Sequence, residues 1–151
     1  MKRITFLCII LTFSLLMFQL PSPSLPQDKP PTWEVYFSPN GGCTDAIVRE
    51  LDKAKSTVLV QAYSFTSYRI AKALLEAHKR GIKVEVILDK SQKSDQYSSA
   101  DFLANSGMSV KIDSVHAIAH NKVRVIDGET VITGSFNFTK AAEETMRRIS
   151  W

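Results

Sequence analysis

Residues 120–137 read HNKVRVIDGETVITGSFN, and this stretch decides both the fold and the chemistry to look for. Val123, Val125 and Ile126, then Val131 and Ile132, mark two strands on either side of Asp127-Gly128, a strong two-residue hairpin signal. With Asp127 and Gly128 as the central turn residues, Ile126 faces Glu129, Lys122 faces Thr133 and His120 faces Ser135. Opposed residues of an antiparallel pair share a sheet face, with Cβ atoms roughly 5 Å apart. Period-two alternation then gathers His120, Lys122, Arg124, Ser135 and Asn137 on one face and leaves Asp127, with the other parity, at the turn.

An ammonium among neutral donors suits an oxyanion with several acceptor oxygens, and phosphate is the obvious one. A histidine beside it can serve as nucleophile or as general acid and base. Taken singly, each of these residues reads better as a polar side chain on the solvent face of an ordinary hairpin. The set at this spacing is what points to chemistry.

The residues fit H-x-K-x4-D-x6-G-S-x-N through His120, Lys122, Asp127, Gly134, Ser135 and Asn137. The pattern resembles the phospholipase D superfamily, the HKD phosphodiesterases, and within it the small single-motif bacterial endonucleases of the Nuc type. Residues 61–66 (QAYSFT) and 77–89 (AHKRGIKVEVILD) are similar to upstream segments of that subfamily. The resemblance extends over about residues 33–144.

Upstream of the domain the chain changes character. Lys2-Arg3 precedes an uncharged apolar run of seventeen residues, 4–20, which reads as a signal peptide or an N-terminal membrane anchor. This implies export, to a periplasmic or secreted location, with membrane attachment through 4–20 as the alternative to cleavage. Residues 21–31 hold five of the six prolines and form an extended linker. One phosphodiesterase domain is expected over 32–151. Beyond the apolar run Cys43 is the sole cysteine, a small buried or helix-edge residue in this reading, and no intrachain disulfide can form there.

The net charge is +4, but Lys2, Arg3, Lys29 and Asp28 all precede residue 32. From there on, sixteen basic residues face fourteen acidic ones, a net of +2. Bulk charge therefore argues little for nucleic acid, and any attraction for phosphodiesters must be local.

The remaining pattern alternates strands and helices. A strand is expected over 33–37, a turn at 39–42, and a helix capped by Thr44 that buries Ile47, Leu51 and Ala54. A strand over 57–63 follows, then a helix capped by Ser67 with Ile70, Ala71, Leu74, Leu75 and His78 at helical spacing, stopped by Gly81. A third strand spans 83–88, 91–99 is a polar loop, a short helix runs to about 105, and a strand covers 108–112. With the hairpin this makes an α/β fold, a mixed β-sheet flanked by helices. Outside the hairpin, His116 on the preceding loop is a further candidate for facing substrate. His78 reads as surface or core edge, Glu85 and Asp89 as solvated or edge residues, and Lys72, Lys79, Arg80 and Lys83 as a solvated helix end. The histidines lack Cys, Asp or Glu at metal-ligand spacing, so neither a metal site nor a cofactor is indicated.

The resemblance implies hydrolysis of phosphodiesters without a metal, through a phosphohistidine on His120. Lys122 and Asn137 would stabilise the equatorial oxygens, Ser135 would add a hydrogen bond, and Asp127 would be a supporting residue. One imidazole cannot be unprotonated nucleophile and protonated acid at the same moment, so two copies of His120 are needed. With one motif and no internal repeat, this implies a homodimer with a shared site. The pattern departs from the resemblance at the C-terminus. Residues 141–144 still follow it, but Arg148 stands where the family's glutamate would orient the histidine, and the fold is expected to be C-terminally shortened with an unpaired sheet edge. Glu143 and Glu144 are the substitutes at hand. Three functions stay open: a nonspecific endonuclease, a phospholipase D acting on lipid head groups, and an inactive truncated phosphate-binding module.

Overall fold

The computed structural model describes residues 30–96 and 98–144. The chain divides into two units, 1–34 and 35–151. Of the first, residues 30–34 are described, and they are exposed and outside regular secondary structure. The expected signal or anchor, most of the linker, and Arg148 lie outside the described residues.

The elements follow as α1 (Cys43–Lys53), β1 (Thr57–Ala62), α2 (Tyr68–Lys79), β2 (Lys83–Asp89), a single 3-10 turn (Lys90–Lys93), α3 (Ala100–Asn105), β3 (Ser109–Asp113), β4 (Lys122–Ile126), β5 (Thr130–Thr133) and α4 (Lys140–Glu144). The sheet order is β3-β2-β1-β4-β5. Strands β1, β2 and β3 are parallel, linked through α2 and α3, while β4 and β5 run antiparallel as the hairpin. This is the mixed α/β sheet expected. Its consequence for function is that the carboxyl ends of β1, β2 and β3 and the start of β4 share one end of the sheet, where open α/β sheets place ligands.

Alternation along β1 and β2 turns Val58, Val60, Ala62, Val84, Val86 and Leu88 to one face. There they join Ile47 and Leu51 of α1, Ile70 and Leu74 of α2 and Leu103 of α3 in one buried cluster. Each such aliphatic side chain contributes about 1.5–3 kcal/mol when fully buried. On the opposite face Leu59, Ile87 and Val131 remain exposed.

Local signals were obeyed where the chain had no tertiary competitor. Ser67 caps α2, its side chain accepting from the Ile70 N–H at 3.5 Å. Gly81, at φ 86°, follows the α2 C-cap residue Arg80 and turns the chain into β2. Thr44 does not cap α1; Gly42, at φ 77°, occupies that position. Thr44 sits in the first turn, and its N–H and hydroxyl both donate to Glu143 Oε2 at 3.0 Å. A carboxylate from the other end of the chain thus satisfies the helix N-terminus. The strand expected over 33–37 is not formed: residues 33–37 join no strand ladder among the described residues, and Val35 and Phe37 stay exposed.

The hairpin register also differs from expectation. Asp127 and Gly128 take positive φ, 55° and 72°, and the Glu129 N–H donates to Ile126 O at 3.0 Å, as a tight turn requires. The ladder, however, pairs Ile126 with Thr130 and Val123 with Thr133, so Glu129 is an extra, bulged residue. A one-residue slip exchanges the faces of a strand. Continued at this register, Lys122 meets Gly134, and Ser135 and Asn137 no longer share its face by parity. The turn is set from outside the hairpin: Asp127 N–H donates to Thr57 O at 2.9 Å, and its carboxylate accepts the N–H groups of Lys55, Ser56 and Thr57.

Candidate active site

His120 lies exposed just before β4, and Lys122 is the first residue of that strand. The Tyr63 N–H donates to Asn121 O at 2.9 Å, extending the β1–β4 pairing past the last ladder pair, Ala62 with Lys122. That pairing turns Lys122 inward, and the residue is 6% exposed. Its ammonium lies 3.3 Å from His120 Nε2 and 3.2 Å from the His120 carbonyl oxygen. The Tyr63 ring packs against both, with its centroid 4.4 Å from the imidazole centroid and 5.2 Å from Lys122 Nζ.

An ammonium can only donate, so the ring nitrogen that faces it carries the lone pair and Nδ1 carries the proton; the tautomer is inferred from that inventory. Burial lowers the Lys122 pKa from its ordinary value. The arrangement holds an imidazole beside a buried cation; once an electrophile takes the place of the ammonium at Nε2, the ring can attack it while the cation stabilises the charge that develops.

Asn137 and Ser135 reach this end of the sheet by a route other than the ladder. Beyond β5 the chain leaves extended pairing at Gly134, and Phe138 docks against the segment that follows β1. The Phe138 N–H donates to Ser64 O at 3.2 Å, and its carbonyl accepts the N–H groups of Thr66 and Ser67 at 3.0 and 2.8 Å. Asn137 is therefore carried to the carboxyl end of β1, with a buried Oδ1 that has no hydrogen-bond partner among the described residues. Ser135 stays exposed. Asp127 lies at the far end of β4, seven residues from His120 and on the order of 20 Å along an extended strand. There it ties the hairpin to the start of β1.

Sequence reasoning missed Asp89, which it read as a solvated or edge residue. Asp89 is buried, and its carboxylate accepts the Ala119 N–H at 2.7 Å and the Ser91 N–H at 2.9 Å. Those bonds, Ala119 first, hold its pKa below the usual carboxylate range. Ala119 immediately precedes His120, so Asp89 positions the histidine loop. Its place at the carboxyl end of a parallel strand was the available signal. Gln92, also buried, accepts the Phe65 N–H at 3.0 Å. Glu85 behaves as read, half-buried and paired with Lys83 at 2.6 Å.

His116 stands exposed on the loop after β3, with Nδ1 2.8 Å from Asp113 Oδ2. That imidazole and the loop N–H groups hold the Asp113 pKa down. His78 is half-buried on α2, and Cys43 is buried, its thiol pushed up by burial. Glu143 is committed to Thr44, and Glu144 pairs with Lys140 at 3.7 Å. Among the described residues no carboxylate bonds the His120 ring, and no three His, Cys, Asp or Glu side chains converge on a point that could hold a metal ion.

Together the mixed sheet and the His-Lys pair at its carboxyl end define an HKD-motif α/β domain. Residues 47–148 match the family described as Cardiolipin synthase, PLD-like domain. The chain belongs to the phospholipase D superfamily. It is similar to a phospholipase D of Rickettsia typhi, at 41% identity over 88% of this chain and 65% of that protein. Among solved structures it is similar to the phospholipase D family member Nuc of Salmonella typhimurium, with TM-score 0.69 and 43% identity over 73% of this chain and 74% of that one. It is also similar to NucT of Helicobacter pylori, with TM-score 0.61 and 27% identity over 68% and 70% of the two chains. The chain spans between 53% and 65% of the length of the Rickettsia phospholipases D it matches.

Proposed function

We propose that this chain is an exported, metal-independent phosphodiesterase, acting as a nonspecific endonuclease through a phosphohistidine on His120. The observation that carries this reading is the 3.3 Å approach of the Lys122 ammonium to His120 Nε2. Nε2 attacks phosphorus, and the bond from phosphorus to the leaving oxygen breaks. The leaving oxygen takes a proton from His120 of a second copy of the chain. That second imidazole, now neutral, deprotonates the water that attacks phosphorus in turn and frees His120. Lys122 and Asn137 stabilise the equatorial oxygens and Ser135 adds a hydrogen bond.

The 43% identity to Nuc of Salmonella typhimurium supports nucleic acid as substrate. A homodimer is supported by the single motif and by Val115 and Ile118, 88% and 64% exposed on the loop leading into His120. Two such apolar residues beside a site are a surface for a second copy to cover. Export rests on Lys2-Arg3 and the apolar run at 4–20.

A second reading, phospholipid head-group hydrolysis, is favoured by the 41–44% identity to Rickettsia proteins named phospholipase D. A third, a phosphate-binding module without activity, is favoured by the lack of a carboxylate on His120 among the described residues. Full-length protein and His120→Ala, assayed on plasmid DNA, RNA and phosphatidylcholine with excess EDTA, separate the three. Chelator-resistant cleavage that disappears in the variant supports the mechanism, and the substrate cleaved chooses between the first two readings. Activity abolished by EDTA overturns the metal-free mechanism, and a folded protein inert on all three substrates favours the module. A strictly monomeric protein with full activity overturns the shared site.

A further inference from the structure

We propose that the 3-10 turn Lys90–Lys93 is a second phosphate-contacting element, which binds the phosphates neighbouring the one at His120 on a single-stranded polynucleotide. The inference rests on the nucleic-acid reading above and assigns it a binding surface beyond the motif.

The turn is pinned to both halves of the site. Its N-cap is Asp89, whose Oδ1 accepts the Ser91 N–H at 2.9 Å while Oδ2 accepts the Ala119 N–H at 2.7 Å. One buried carboxylate thus joins the turn to the residue before His120. At its other end Gln92, 4% exposed, accepts the N–H of Phe65 at 3.0 Å and the hydroxyl of Ser98 at 3.2 Å. Phe65 forms a bridge with Phe138, the residue after Asn137. Two buried polar side chains are therefore spent on fixing a four-residue turn.

What that turn presents is charge. Lys90 and Lys93 are both exposed, and among the described residues neither makes a salt bridge. The acids near them keep their charge but are turned to other donors: Asp89 is buried on two amides, and Asp95 faces Gln92 Nε2 at 3.5 Å. In a 3-10 helix residues three apart eclipse with a rise of about 2 Å per residue, so the two lysines stand on the same side, about 6 Å apart along the axis.

A ligand with one phosphodiester is served by His120, Lys122, Ser135 and Asn137 without the turn. Two further cations at fixed spacing suit a chain of regularly repeated phosphates, whereas lipid head groups diffuse independently and reward no fixed spacing. The domain's small net charge makes such local cations the source of any polyanion attraction.

The test uses full-length chain in a His120→Asn background, so that binding is read without turnover. Fluorescence anisotropy follows a 5′-labelled single-stranded oligonucleotide over a range of salt concentrations. K90Q/K93Q is expected to weaken binding about tenfold and to flatten the slope of log K against log salt by about 1.4, two contacts at about 0.7 each. The single variants should each give about half that change in slope. K53Q/K55Q, at the other end of the sheet, serves as a charge-matched control and should leave the slope unchanged. An unchanged slope in K90Q/K93Q, an equal change in the control, or no oligonucleotide affinity in the parent overturns the proposal. So does a loss confined to flotation on phosphatidylglycerol vesicles, which makes the turn a membrane contact. A chain that binds through these lysines but does not cut, with His120 restored, overturns the nuclease reading and supports this one.

Discussion

The Asp89 carboxylate receives the Ala119 N–H at 2.7 Å, one residue before His120. The bond ties the loop that carries the imidazole to the carboxyl end of β2, so the position of His120 depends on a strand that is not its sheet neighbour. Asp89→Asn is expected to lower kcat about tenfold or more with little change in KM, because a hydrogen bond to a charged group contributes about 1.5–3 kcal/mol to holding what it binds. Steady-state kinetics on a small diester, alongside a thermal melt, checks this. A fall in KM-linked binding alone, with kcat unchanged, would contradict a positioning role.

Tyr63 touches both members of the pair, the His120 ring at 4.4 Å between centroids and the Lys122 ammonium at 5.2 Å. Tyr63→Phe keeps both contacts and should retain activity. Tyr63→Leu removes the ring, and the loss of about 0.5–1.5 kcal/mol of aromatic contact should appear as a fall of roughly two- to tenfold in kcat. Equal effects of the two substitutions would assign the role to the hydroxyl instead.

Arg124, 1% exposed, stacks its guanidinium 3.2 Å from the Phe138 centroid, yet its Nε and Nη2 have no hydrogen-bond partner among the described residues. Burial pushes its pKa well below the arginine range. A cation–π contact returns about 2 kcal/mol when desolvated, whereas burying an ion costs several. Arg124→Met is therefore expected to stabilise the fold by about 1–4 kcal/mol, read as a higher urea midpoint at unchanged slope. A lower midpoint would mean that the guanidinium has a partner supplied from elsewhere.

Asp127 separates structure from catalysis. The N–H groups of Thr57, Ser56 and Lys55 favour its charged form and hold its carboxyl far below the ordinary range. A depressed carboxylate stabilises the fold above the unfolded pKa, about 3.9, and that stability is lost as pH falls through the folded value. Asp127→Asn should melt at lower temperature than the parent at neutral pH, and the gap should close progressively below about pH 4. Turnover per folded molecule should survive, since the side chain lies at the other end of β4 from His120. Loss of turnover in a fully folded variant would place Asp127 in the chemistry.

Periodicity made most of the fold legible. The α1 and α2 stripes, the Ser67 cap, the Gly81 stop and five of the six expected strands depend on neighbours within a few residues, where side-chain spacing and backbone preference are decisive. The strand expected at 33–37 had the right residues but joins neither edge of the sheet, β3 or β5, and pairing is a property of two segments. Thr44 looked like a cap because the sequence shows only local acceptors; the acceptor in fact comes from Glu143.

The sequence by itself determined the family, because the H-x-K-x4-D-x6-G-S-x-N pattern of residues 120–137 carries a resemblance that the family match over residues 47–148 bears out. It also determined that β4 and β5 form a hairpin, since Asp127-Gly128 favours the positive φ a tight turn needs. Only the tertiary structure decided how the segment is laid out. Contacts from Lys55, Ser56 and Thr57 to Asp127 go with a bulge at Glu129, which slips the register by one and removes Ser135 and Asn137 from the face that counting assigned them. Phe138, docked on the residues after β1, then carries Asn137 to the end of the sheet where His120 and Lys122 lie. Spacing along a strand specifies a face only while the ladder is regular, and long-range hydrogen bonds decide where it stops being so.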